Sequence, residues 1–436
     1  MTREAVVVVD LGCGDQGKGT VTDAFVRARG AHAVVRYNGG AQAGHTVVTD
    51  DGRRHTFAQF GAGSFVPGVE TWLTAHVAVQ PWAMLVEAGH LARVGVTDAF
   101  ARTRIAAEAP VITPFHRAAN RLRERARGDD RHGSCGIGFG ETVRDARTLS
   151  DDDVVRVRDL GDGARVRAKL RRVQARKRAE MDARWLAHDD ARALDDAALV
   201  EVYASRLAGF VESAVVVDDA AVGAMLRRPG AVVFEGAQGV LLDEWRGFHP
   251  HTTWSTCTAE NALGVLSAHG YDGAVARWGV VRAYATRHGE GPLVTEDAGL
   301  TARLREADNR DDGWQGAFRV GWFDAVATRY AIEANGGVEA LAVTCVDGLA
   351  DEREWKIATA YRMGDGARVR SLTLGARGDL AQQARMTAAL RAATAEYRVT
   401  TTAGDAAAHV AAMAEETGVA VGLVSTGPRA RDKRWW

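Results

Sequence analysis

The chain alternates between short, wholly apolar runs and longer stretches of helical periodicity. Residues 5–10 read AVVVVD. A run with no polar interruption predicts a strand covered on both faces, as in a parallel sheet. The runs at 32–37 (HAVVRY), 231–235 (AVVFE), 278–283 (WGVVRA), 341–346 (LAVTCV) and 419–424 (VAVGLV) predict further buried strands. Helices are expected over 20–29, 82–93, 118–127, 190–214, 323–335 and 382–395. The chain thus opens strand, loop, helix, strand, and sheet elements lie near both ends. This predicts an α/β fold with a large, mainly parallel central sheet flanked by helices. Residues 1–436 would form one domain, with a mostly helical inserted region around 82–215.

Composition narrows the function classes. Fifty-five Lys and Arg face 56 Asp and Glu, a formal net charge of -1. That balance excludes capture of nucleic acid or membrane by the whole chain and leaves room only for a local basic pocket. The charged stretch 151–184 lacks interleaved aromatics, so it is read as a solvated helical face. No apolar run reaches the roughly 18 residues that span a bilayer, and no secretory signal is visible at the start. Cys13, Cys135, Cys257 and Cys345 are widely separated, with no CxxC pair. Neither a zinc site nor a disulfide scaffold is expected, and the expected compartment is cytoplasmic.

Three glycine-rich loops follow predicted strands. The first, GCGDQGKGT at 12–20, nearly fits the phosphate-binding pattern G-x-x-x-x-G-K-[ST], with one extra glycine. Glycines let backbone N–H groups approach phosphate oxygens, the helix start adds positive potential, and Lys18 supplies a charge. Asp15 is unusual beside a phosphate; it makes sense as a magnesium ligand or a proton acceptor. The second loop, RYNGGAQAGHT at 36–46, ends in His45, a candidate proton donor or phosphate ligand. The third, FEGAQGVLLD at 234–243, carries Gln238, whose amide can both donate to and accept from a purine edge. Together they indicate a P-loop-like nucleotide-binding fold with inserted subdomains.

The order GDQGKG, RYNGGAQAGHT, FEGAQGVLLD, TRHGEGPLVTED, VGW and VSTGP resembles the adenylosuccinate synthetase family, over roughly residues 6–428. The resemblance implies a ligase that joins L-aspartate to C6 of a 6-oxopurine nucleoside monophosphate. A nucleoside triphosphate and Mg2+ would phosphorylate O6 first, and the amine of aspartate would displace that phosphate. It implies a homodimer. Asp15 would be the base and touch magnesium, with the Gly44 carbonyl as a second metal ligand, and His45 and Lys18 would complete the catalytic group. Gly14, Gln16, Gly17, Gly19 and Thr20 would cradle phosphate, and Asp347, Ser425 and Gly427 would meet the donor nucleotide. Gln42, Ser134, Cys135, Gln238 and Thr253 would meet the acceptor, with Arg144 or Arg147 reaching into the neighbouring subunit. Gln315 and Arg319 would meet aspartate.

The sequence departs from the family pattern in four places. The arginine-rich aspartate loop is replaced by GWQGAFRVGW at 313–322, which keeps Arg319. The donor-base segment is Thr344-Cys345-Val346-Asp347, without its lysine. The phosphate loop ends GKGT, with Gln42 before AGH, and the segment at 133–140 reads GSCGIGFG. These losses favour dGMP as acceptor, as in the phage-type branch, with GTP or ATP/dATP as donor. IMP, or a purine analogue of a nucleoside-antibiotic pathway, are the alternatives. A non-catalytic nucleotide-binding regulator ranks last.

Overall fold

The computed structural model describes residues 3–304, 314–401 and 406–436. Strand β1 (Arg3–Asp10) lies at the middle of the main sheet, and helix α1 (Lys18–Arg29) and strand β2 (Ala33–Arg36) follow it. Val6 and Val8 point to one face of β1, against Val21 and Phe25 of α1. Ala5, Val7 and Val9 point to the other, and all five are fully buried. The unbroken apolar run therefore serves two cores at once.

On one side of β1 the sheet continues through Gly230–Glu235, β2, Glu70–Leu73, Thr103–Ala106 and Val215–Val217. On the other side it continues through Ala274–Arg282, Ala340–Thr344, Val421–Ser425 and Lys433–Trp435. The last pairing is antiparallel and the others are parallel. Three carboxyl ends, those of β1, β2 and Gly230–Glu235, are adjacent, so the three glycine loops emerge along one edge. That is where ligands bind in open α/β sheets.

A second, five-stranded sheet was not foreseen from the sequence. It contains Tyr284–His288, Phe318–Asp324, Glu354–Arg362, Arg368–Val369 and Thr394–Thr401. It explains where two expected helices end. Phe323 and Asp324 finish a strand, and the helix Ala325–Ala334 starts only after Asp324 caps it. The helix Leu380–Arg391 likewise stops before the strand Thr394–Thr401. The expected helix at 190–214 is broken at Asp196, and its main part is Ala198–Ser213. The segment 82–215 carries the helices Pro114–Arg127, Phe139–Thr148 and Gly163–Ala179, yet its strand Thr103–Ala106 belongs to the main sheet.

The charged stretch corrects the reading of a purely solvated face. Gly163–Ala179 buries Val166, Leu170 and Val173, but also Lys169 and Lys177. Lys177 donates to Glu141 at 3.0 Å and Asp145 at 2.7 Å, and Lys169 donates to Asp159 at 2.8 Å. The strand Lys433–Trp435 brings a tryptophan to the edge of the main sheet. Trp435 packs edge-on against Phe25 (5.1 Å) and Trp278 (6.1 Å) of its own chain, although it stays 45% exposed.

Lys177→Met would leave two buried carboxylates without this cation. A broken buried pair costs about 3–5 kcal/mol, so the urea unfolding midpoint should fall clearly. An unchanged midpoint would show that the neighbouring cations carry the charge balance alone.

Candidate active site

The site starts from Asp10, the last residue of β1. Its carboxylate accepts from the Gly12 amide (2.8 Å), the Gln16 amide (3.2 Å) and the Lys18 ammonium (2.6 Å). This folds the loop back over the strand end and aims it at the start of α1. The third glycine loop packs directly on it. A Cβ at Gly239 would lie 2.2 Å from the Gly12 carbonyl and 2.4 Å from Asp10 Oδ1, so only glycine permits this approach.

Asn38 ties the second loop to the third. Its amide donates to the Ala237 carbonyl (2.9 Å), and its Oδ1 accepts from the Ala237 amide (2.7 Å). Two non-glycine residues of these loops hold left-handed backbone, Asp15 (φ 57) and Gln238 (φ 58). That conformation is costly outside glycine, and it clusters at ligand sites.

A cleft of ≈ 300 Å³ opens over these loops. Of the residues expected from the sequence, Gly14, Asp15, Lys18, Gln42, Gly44, His45, Ser134, Cys135, Arg144, Gln238, Thr253 and Gln315 line it. The amide nitrogens and oxygens of both Gln42 and Gln238 are buried with no hydrogen-bond partner in the protein. An unpaired buried amide is expensive, and two on one cleft wall mark a place where a polar ligand completes the bonding.

His45 Nδ1 bonds Glu235 Oε1 at 2.6 Å, which leaves Nε2 as the other polar atom of the ring. Glu235 also accepts from the Ala62 amide (3.0 Å), and Arg36 lies 3.9 Å away. Burial pushes the imidazole towards its neutral form, against the pull of Glu235. For Glu235, burial works the other way, but His45 and Arg36 outweigh it and keep the carboxylate ionised. Glu235, Asp10, Asn38 and Arg36 were missed from sequence alone. The signal for Glu235 was the lone acid closing an apolar strand, FE before GAQG.

Other expected residues have different surroundings. The Gln16 side chain turns inward, donating to the Gly14 carbonyl (3.0 Å) and accepting from the Arg282 amide (2.8 Å), and neither it nor Gly17, Gly19 or Thr20 lines the cleft. Thr20 donates to the Pro428 carbonyl (2.8 Å), while Ser425 and Lys433 both donate to the Gly427 carbonyl, so the near-terminal loop is fastened to α1. Asp347 is exposed on the short turn Val346–Leu349. Arg147 forms a two-bonded ion pair with Glu244 and does not line the cleft, whereas Arg144 does. The Gly133 and Ser134 amides are both taken by Glu124. Arg319 is spent on the carbonyls of Gly289 and Gly291 and on Glu296. Residue 313 lies outside the described residues. Trp314 packs on Gly136, with the Arg121 and Arg125 guanidiniums 4.8 and 4.9 Å from its ring centre.

Among the described residues no group of three His, Cys, Asp or Glu could hold a metal by itself. Asp15 and the Gly44 carbonyl, both on the cleft wall, offer one carboxylate and one carbonyl. That set fits Mg2+, which keeps waters and takes the rest of its ligands from phosphate. No helix among the described residues is long and apolar enough to cross a membrane.

Glu235→Gln removes the charge that favours protonated His45. The ring should then titrate at lower pH, by about one unit or more, as read by 15N NMR of the imidazole. A shift to higher pH would contradict the assigned pairing.

Known proteins match this architecture along its length. The adenylosuccinate synthetase family profile matches residues 7–434. The adenylosuccinate synthetase of Thermosynechococcus vestitus is 35% identical over 83% of this chain and 78% of its own. That of Anaeromyxobacter dehalogenans is 34% identical over 82% and 80%. The fully ligated adenylosuccinate synthetase of Plasmodium falciparum superposes with a TM-score of 0.79 over 99% of both chains, at 18% identity. The cyanophage S-2L succinoaminodeoxyadenylate synthetase, bound to dGMP and dATP, gives 0.61 over 100% of this chain and 96% of its own, at 16% identity. The two structures speak for the fold, and the sequence matches speak for descent. The chain belongs to the adenylosuccinate synthetase family, nucleotide-binding ligases of purine biosynthesis that form a carbon–nitrogen bond.

Proposed function

We propose that this chain condenses L-aspartate with C6 of a 6-oxopurine nucleoside monophosphate, through a 6-phosphoryl intermediate driven by a nucleoside triphosphate, and acts as a homodimer. The observation that carries this is the pair of unpartnered buried amides, Gln42 and Gln238, on the wall that also presents Asp15, Lys18 and His45. Two amides offer both donors and acceptors, as the edge of a 6-oxopurine requires.

The chemistry follows from the placement. Asp15 takes the N1 proton, so that O6 becomes nucleophilic towards the γ-phosphorus. Lys18, held by Asp10, has two further N–H donors for phosphate oxygens. His45 takes a proton as phosphate charge approaches Nε2, and Glu235 stabilises the imidazolium. Bound Mg2+, on Asp15 and Gly44, would neutralise charge on the transferring phosphoryl group. Aspartate's amine then attacks C6, and inorganic phosphate leaves. The protein contributes positioning and prearranged charge.

The acceptor we favour is dGMP. Residues 314–318 contain no arginine, and Arg319 is committed to Gly289, Gly291 and Glu296, so the described residues 314–319 bring no free cation to a ribose hydroxyl. The cyanophage relative in fold is bound to dGMP and dATP. IMP is the second reading, supported by curated relatives named for a product without a 2-amino group. The donor is GTP or ATP/dATP. Asp347 could accept from a guanine, and the lysine of that segment is absent.

Phosphate release with L-aspartate should be measured with dGMP, IMP and GMP, each with ATP, dATP and GTP. The expected result is the highest kcat/KM with dGMP. Turnover of IMP alone would remove the dGMP reading, and no turnover with any acceptor would remove the ligase reading for this chain. Asp15→Ala should lower kcat by about 10²–10⁴-fold while nucleotide binding, followed by calorimetry, is largely kept.

A further inference from the structure

Loss of the arginine-rich loop leaves open what holds the amino-acid co-substrate. A dicarboxylate entering a closed cleft needs a cation that is not already neutralised. Among the described residues, the other cations at 3% exposure or less, Lys18, Arg36, Lys169 and Lys177, each have a carboxylate within 4.0 Å, and Lys433, at 7%, donates to the Gly427 and Arg429 carbonyls away from the cleft. Arg287 is equally buried, at 1% exposure, lines the cleft, and has no carboxylate partner among them. Two more arginines, Arg319 and Arg391, add positive potential around it.

The guanidinium sits in a built seat. Nε donates to the Glu290 carbonyl (2.7 Å), Nη2 to the His251 carbonyl (3.1 Å), and Nη1 to Cys13 Sγ (3.2 Å). A Cβ at Gly291 would fall 2.1 Å from Nη2, so the turn at Gly291 exists in a form that admits the head group. A guanidinium has five N–H donors. Three are used here, which leaves one N–H on each terminal nitrogen for a carboxylate.

Its surroundings favour the amino acid over the acceptor's phosphate. Arg287 belongs to the strand Tyr284–His288, which pairs with Phe318–Asp324. His288 Nε2 bonds the Gly316 carbonyl (3.0 Å), and the Gly289 amide donates to the Ala317 carbonyl (2.9 Å). Gln315 of that same loop lines the cleft. Arg287 is thus fastened to the segment that replaces the arginine-rich loop. We propose that Arg287 binds one carboxylate of the L-aspartate co-substrate, taking over from the absent loop arginines; this rests on the ligase reading above.

The test compares the full chain with Arg287→Lys and Arg287→Met. Arg287→Met should raise the KM for L-aspartate roughly 30-fold or more, with both nucleotide KM values within about twofold. Arg287→Lys keeps the charge without the fork and should fall between. An unchanged aspartate KM overturns the proposal, as does a rise confined to the acceptor KM, which would assign Arg287 to the phosphate. If Arg287→Met does not fold, the Arg287→Lys comparison decides. If the wild-type chain turns over no acceptor, the ligase reading fails and calorimetric titration decides separately. L-Aspartate bound by wild type and lost in Arg287→Lys, with L-asparagine and inorganic phosphate as controls, supports Arg287. Equal binding to both, or none to the wild type, overturns it.

Discussion

A single carboxylate at the end of the central strand fixes where everything else can sit. Asp10 is buried and holds two loop amides and the Lys18 ammonium together. An ammonium buried without a partner would shed its proton or turn outward to water. Here it is held 2.6 Å from Asp10 on the lining of the cleft. The Gly239 turn then closes over the same carboxylate, and Asn38 brings the second loop alongside. Charge, loop path and cleft shape share one anchor, and the parallel sheet keeps that anchor dry.

The cleft wall carries two kinds of local cost at once. Away from it, buried Lys169 and Lys177 are neutralised by carboxylates, and Thr113 and His116 close a capping box at the start of Pro114–Arg127. At the cleft, two amides lack partners and two non-glycine residues sit in left-handed backbone. Each such backbone departure costs of order 1–3 kcal/mol. A fold tolerates them where the surrounding structure holds them rigidly, and a ligand can return the bonding they forgo.

Much of this was legible in the chain. Continuous apolar runs located the main strands because a parallel sheet, covered on both faces, leaves no alternation. The glycine loops located the cleft because their spacing is imposed by close backbone approach, as at Gly239. What stayed hidden depended on partners far apart in sequence. Glu235 meets His45 across 190 residues, and Arg287 meets Cys13 across 274. The second sheet was obscured because its strands, such as TRH and FRVGW, carry polar residues that face the cleft and the loops rather than a core. Lys169 and Lys177 were read as solvated because a charge count carries no record of burial.

The seat of Trp314 has a mechanical consequence. Its ring is clasped by two guanidiniums from the helix Pro114–Arg127 and rests on Gly136, while its own segment is pinned through Gly316 and Ala317 to the second sheet. Two walls of the cleft, one from the helical region and one from the second sheet, are therefore riveted by one indole. A tilt of one wall against the other would have to part this stack, at about 0.5–2 kcal/mol for each guanidinium.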